Sequence, residues 1–223
     1  MKLIYENYRA VYADKIRSAF SEKGKQKLLE KLLQGIALYN NNRLEKALKK
    51  FKKLKEKCET RDEYAAVLLF IAKTYEDMGY PELELQTYKE LLTHDQENST
   101  AWSNMGLVYQ ARGDADEAIA CYEKAIEYKK DNPYAYNNLA ATHYRNGNYE
   151  RAIPYAEQAL KLKSNLYQAS NTLCLCYCAL GRREECRKYF KISVAGGAKA
   201  KDLKAALENV KLGNFELEDG FFD

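Results

Sequence analysis

Two histidines and six cysteines are the side chains in this sequence best suited to acid–base, nucleophilic or metal chemistry. Cys174, Cys176 and Cys178 alternate, and Cys186 follows eight residues later, a grouping that first suggests a thiolate metal site or a redox pair. On a helix, however, steps of two residues point in widely separated directions, so only Cys174 and Cys178 share a face. Small buried hydrophobes account for them better. Cys58 and Cys121 add no framework spacing, and the set as a whole points to a reducing cytoplasm. His94 sits in the polar stretch THDQEN and reads as solvated, and neither it nor His143 has a Cys or carboxylate at a metal-ligand spacing. There is no phosphate-cradling Gly loop, nucleophile elbow or HExxH. These residues predict no enzyme, no metal and no cofactor.

Charge is the second resource. The chain carries a net +4, too little to argue for nucleic acid as its main ligand, but the distribution is uneven. Residues 21–57 hold eleven Lys and one Arg against four Glu, a local +8, so the rest of the chain carries −4. Within that region, Lys49-Lys50-Phe51-Lys52-Lys53-Leu54-Lys55 alternates charge with apolar positions, the pattern of a helix with one solvated face. An anionic partner for this region, nucleic acid included, is the alternative to the reading developed below. No stretch approaches the roughly 18 apolar residues of a membrane span, so no membrane partner is expected.

The elements that must position these side chains are set by a period. A turn Gly recurs at Gly79, Gly113, Gly147 and Gly181, 34 residues apart each time. Ahead of it run a large slot (Leu68, Trp102, Tyr136, Ser170) and an apolar slot (Ile71, Met105, Leu139, Leu173). A small slot (Ala72, Gly106, Ala140, Cys174) and a ring slot (Tyr75, Tyr109, His143, Tyr177) follow. After the turn come a small slot (Glu84, Ala118, Ala152, Cys186) and a large one (Tyr88, Tyr122, Ala156, Phe190). Gly35, Leu38, Ala47, Phe51 and Leu54 repeat the order more weakly upstream, and three extra residues around Thr60 restore the phase. His143 therefore reads as a packed ring. Two helices joined by a tight turn meet closely only where side chains are small, which the Gly106 and Ala118 positions allow.

The run W-x2-M-G-x2-Y at Trp102, Met105, Gly106 and Tyr109, followed by Ala118, Tyr122 and Ala125, resembles the tetratricopeptide repeat, a helix–turn–helix unit of about 34 residues. The resemblance implies an all-α, right-handed superhelical solenoid. Five units starting near 28, 65, 99, 133 and 167 would fill residues 28–198. A capping helix is expected in 1–27, where Ile4, Tyr8, Val11, Tyr12, Ile16 and Phe20 form a stripe, and a second in 199–212. Residues 213–223 form an acidic-aromatic tail that could dock in a groove. Asp114 and Glu117 fit a capping box, Pro81 and Pro133 fit first-turn positions, and Pro154, inside a helix, predicts a kink or a local 3₁₀ turn.

By the same resemblance, the ligand is a protein or peptide segment lying along the concave surface made by the first helices. The outward slots there give Lys73, Ser103, Asn104, Leu107, Tyr134, Asn137, Asn138, Tyr144, Arg145, Gln168 and Asn171 as the groove. Asn104 and Asn138 fill one slot, and an Asn amide pairs with a peptide backbone of any sequence. The clamp of two Lys, two Asn and an Arg that some such proteins use for acidic chaperone tails is absent here, since only its central Asn survives. A receptor for a short signalling peptide is a further alternative. The expectation is a cytoplasmic scaffold or adaptor, monomeric or weakly self-associating through its tail or end caps.

Overall fold

The structure is a computed structural model and describes residues 25–208. The expected N-terminal capping helix and the acidic-aromatic tail lie outside the described residues. Among them the chain is all-α, with eleven helices and no strand. These are α1 Gln26–Asn40, α2 Leu44–Lys55, α3 Arg61–Met78, α4 Pro81–His94, α5 Ser99–Arg112 and α6 Ala115–Tyr128. Then follow α7 Pro133–Arg145, α8 Tyr149–Leu162, α9 Tyr167–Ala179, α10 Arg183–Ala195 and α11 Ala200–Glu208. The chain divides into two compact units, with the boundary between Asn104 and Met105, inside α5.

The hairpin turns are built as the 34-residue period implies. Gly79, Gly113, Gly147 and Gly181 have φ of +75°, +85°, +75° and +71°, the left-handed region that favours glycine. The residue after each donates its N–H to the carbonyl of the ring-slot residue five positions back: Tyr75, Tyr109, His143 and Tyr177, at 2.8–3.0 Å. One residue type thus stops the first helix and the next starts the return. Pro81 and Pro133 each stand at the first helical position, where the missing N–H costs nothing.

In the first unit α1 packs on α2, α2 on α3, α3 on α4, and α1 also touches α3. Leu32, Phe51, Leu54, Leu68, Tyr88 and Leu91 are fully buried or nearly so. The three extra residues near Thr60 lengthen α3 to 18 residues. Thr60 and Glu63 close a reciprocal capping box there, and Lys25 pairs with the buried Glu63 at 2.6 Å. In the second unit α7 packs on α6, α8 and α9, and α9 on α8 and α10. Gly106 shows why the small slot is small: a Cβ there would stand 2.7 Å from Cε1 of the fully buried Tyr122. Leu203 and Leu207 of α11 join the core formed by Leu173, Tyr177 and Phe190.

Two local expectations are corrected. Asp114 occupies the cap position of α6 but its side chain caps nothing, so there is no capping box with Glu117. Its carboxylate is instead 3.0 Å from the Arg112 guanidinium across the turn. Helix α8 is α-helical throughout, with no 3₁₀ turn at Pro154. Only one amide is lost, and Pro154 lies on an exposed position where water can reach the freed carbonyl. The first-helix caps that do form were not anticipated: Asn98 accepts from the Ala101 N–H at 3.0 Å, and Asn132 from those of Tyr134 and Ala135.

Candidate functional site

The first helices α7 and α9 lie side by side in the second unit, and their outer residues are the ones that the period leaves free of packing duty. Tyr134 is 39% exposed, Asn137, Asn138 and Tyr144 are half-buried, and Arg145 is exposed. Gln168, Asn171 and Leu175 are half-buried on α9. On α5, Leu107 is 44% exposed, Ser103 is half-buried and Asn104 is buried.

The hydrogen bonds separate these residues into engaged and available groups. Tyr134 receives a hydrogen bond at 2.6 Å from Lys163, whose ammonium also lies 4.9 Å from the centre of the Tyr134 ring. Asn171 accepts from Ser193 of α10, so its amide oxygen is spent inside its own hairpin. The Tyr144 ring leans on Tyr149 at 5.7 Å, and burial raises its phenol pKa. Asn137 is different. Its Oδ1 is buried and has no hydrogen-bond partner, as is Oγ of Ser103. The Arg145 guanidinium has no carboxylate within ion-pair distance among the described residues.

In the first unit, Lys73 is committed internally. Its ammonium is 2.7 Å from Glu76 and 3.4 Å from Asp77, and Asp77 also accepts from the Tyr39 hydroxyl. Behind this cluster Glu84 is 5% exposed, and burial, then the Glu76 carboxylate, push its pKa up to about 8.

The histidines and thiols are packed rather than poised. His143 is stacked 5.6 Å from Tyr155 with the rings at 10°, as its slot predicted. Burial and the nearby Arg151 lower its pKa. Its Nδ1 is buried without a partner, at the edge of an open depression of about 590 Å³ that Asp116, Glu123 and Arg151 also line. His94 is exposed and lies 4.4 Å from the Tyr64 ring. All six cysteines are free thiols, and Cys174 and Cys186 face each other with sulfurs 3.8 Å apart. Cys176 is pushed up to about 12, chiefly by burial. Among the described residues, no three His, Cys, Asp or Glu side chains converge as metal ligands would.

The pairwise helix packing, the glycine turns and the slot residues together define a known repeat. A family model described as tetratricopeptide repeat matches residues 97–165. The solved structure of YrrB, described as a TPR protein with an unusual peptide-binding site, aligns with a TM-score of 0.57. The two are 23% identical, over 72% of this chain and 85% of that one. Residues 97–165 match the tetratricopeptide repeat family, and the described helices share its fold. Other structures share the fold of this repeat protein at similar distance. MamA aligns at TM-score 0.65 and 23% identity, over 77% of this chain and 96% of that one. PilF of Pseudomonas aeruginosa aligns at 0.68 and 18% identity, over 83% and 90%. No curated protein sequence matches the chain. At these identities the likeness carries the fold of the repeat protein and leaves its ligand to the residues themselves.

Proposed function

We propose that this chain is a non-enzymatic protein-interaction scaffold whose ligand is an extended segment of a partner protein. The segment lies on the first-helix face of α7 and α9, with Leu107 of α5 as a further contact; Ser103 and Asn104, in the first unit, are candidates in their own right. The observation that carries this reading is the Asn137 amide oxygen, buried on that face with no partner. A buried acceptor left unpaired costs about 1–3 kcal/mol, and a peptide N–H would recover it. Asn138 beside it brings a second amide, Tyr134 and Leu107 bring exposed contact area, and Arg145 brings an exposed cation with no carboxylate partner among the described residues. Lys73, in the first unit, is already held by Glu76 and Asp77. The peptide-binding site named for YrrB agrees with this class of ligand.

We read the hairpins as five repeat units starting near 28, 65, 99, 133 and 167, with 199–212 closing the end. Six free thiols fit a reducing cytoplasm, and no helix among the described residues is long and apolar enough to cross a membrane. The test is affinity capture from the native extract by wild-type protein and by the Asn137→Ala/Asn138→Ala/Arg145→Ala variant, with matched circular dichroism. The expected result is loss of a specific partner from the variant alone. Identical partner sets on both would refute the assignment of this face.

A further inference from the structure

The α1–α2 hairpin carries a second surface, unrelated to the first-helix face. Over residues 25–57 it holds ten Lys and one Arg against three Glu. Some of these cations are internally satisfied: Lys25 pairs with Glu63 at 2.6 Å and Lys55 with Glu90 at 2.8 Å. Lys27, Lys31, Lys46, Lys49, Lys53 and Lys57 have no carboxylate within ion-pair distance among the described residues.

Their placement is ordered. At 3.6 residues per turn, Lys46, Lys49, Lys50 and Lys53 fall within an arc of about 100°, beside the buried stripe of Ala47, Phe51 and Leu54, and Lys57 follows in the turn after α2. The helical part of the row, Lys46 to Lys53, is about 10 Å long at 1.5 Å per residue. Lys50 reaches across to Gln34 of α1 at 2.5 Å. Lys57, and behind it Lys27 and Lys50, crowd Lys31 and hold its pKa below the usual lysine range. Like charges gathered this closely oppose folding, and none of the hairpin's three Glu is within ion-pair distance of them.

We propose that this face binds the phosphate backbone of a nucleic-acid duplex, independently of sequence. A straight row of ammonium groups matches a linear array of phosphates, which a duplex supplies at one charge per about 1.7 Å of axis. The row offers point charges and no Arg fork, and the Gln34 amide is already engaged by Lys50, so the row itself has little with which to read base edges. Phe51 is 0% exposed, which removes the stacking platform that single strands require. A lipid surface fits less well, because Ala47, Phe51 and Leu54 of α2 are buried and Leu44 and Leu48 are only half-exposed. An acidic protein would gain only about 0–1 kcal/mol from each exposed ion pair. Phosphates also release condensed counterions.

The experiment is fluorescence anisotropy of an end-labelled 20-base-pair DNA duplex titrated with the full chain at 50–200 mM salt. If about five lysines contact phosphates, log K falls with log salt at a slope of about −4 to −5, and affinity drops roughly 500-fold across that range. The Lys49→Glu/Lys53→Glu variant should lose more than tenfold at 50 mM salt while its urea midpoint stays level or rises. Lys129→Glu/Lys130→Glu, at exposed positions in the turn after α6, should bind as wild type. No binding at 50 mM salt, or equal loss in both variants, would overturn the proposal. So would tighter binding of poly-L-glutamate or of phosphatidylserine vesicles than of the duplex.

Discussion

Glu84 stands in the small slot after the turn, where the other units have Ala118, Ala152 and Cys186. It is buried, as they are. A carboxylate near a helix N-terminus is ordinarily favourable. Here burial weighs more heavily, and Glu76 and then Asp77 add like charge, while Lys73 relieves it in part. Lys73 is already held by those two acids at 2.7 and 3.4 Å, which limits what it can offer Glu84. The carboxyl is therefore pushed from its ordinary 4.5 up to about 8. Below pH 4.5 Glu84 is protonated whether the chain is folded or not. Between pH 4.5 and about 8 the unfolded chain has lost the proton and the folded chain keeps it, so stability falls as pH rises. Each tenfold in proton affinity is 1.36 kcal/mol, which makes the full window worth about 3–5 kcal/mol.

Glu84→Gln keeps the shape and removes the titration. The variant should match wild type at pH 4.5 and exceed it by an amount growing towards about 3–5 kcal/mol at pH 8. Urea titrations at pH 4.5, 6, 7 and 8 read this directly. The single tryptophan, Trp102, lies in the same unit and reports its unfolding by fluorescence. An equal gain at every pH would mean that the effect is steric. A loss at pH 8 would mean that Glu84 is ionised and paired with Lys73, and the reasoning would fail.

Gly106→Ala should destabilise the chain by about 1–3 kcal/mol in urea titration, because the new Cβ meets a Tyr122 ring that is itself fully packed; a neutral result would mean that the hairpin can open. His143 has a lowered pKa, so its contribution is present above its unfolded value of 6.5 and is lost as pH falls below that. His143→Phe should match wild type at pH 8 and surpass it at pH 5.5 in thermal melts, and the same offset at both would refute this. With an excess of Ellman's reagent at pH 8, native protein should modify Cys58 far faster than the five buried thiols, which react on unfolding; rapid release of six equivalents would contradict the packing. Asn137→Leu should bind partner more weakly yet unfold at higher urea by about 1 kcal/mol, since it removes an unpaired buried acceptor; lower stability would mean that water already serves that oxygen.

The hairpins were legible because their signals are local and repeated. A left-handed glycine every 34 residues stops each first helix, and the small slots must be small wherever two helices touch. Side-chain partnership was less legible. Asp114 had the right spacing for a cap, but Arg112, two residues away, held its carboxylate. Asn171 had the right slot for a ligand, but Ser193, 22 residues on, took its oxygen once α10 folded back. Pro154 broke a helix rule at an exposed position, where water softens the penalty. The lysine row was visible as composition. That Lys25 and Lys55 are neutralised while six others are not became visible only when the acids on α3 and α4 had been placed.

These failures share a cause that bears on function. A slot residue such as Tyr122 is 0% exposed, so its identity is set by what surrounds it within the unit and holds no information about a ligand. An outward residue is informative only when its polar atoms stay unspent after folding, and that depends on neighbours far away in sequence. Among the expected groove residues on α7 and α9, Asn171 is spent in part, and Tyr134 is already bonded by Lys163. Gln168 and Arg145 meet water, so a ligand that pairs with them trades one set of hydrogen bonds for another and gains little. The Asn137 oxygen is buried and has no hydrogen-bond partner among the described residues. A ligand N–H that reaches it recovers a cost already incurred in folding, which is why that atom, rather than the more exposed ones around it, should dominate affinity on this face.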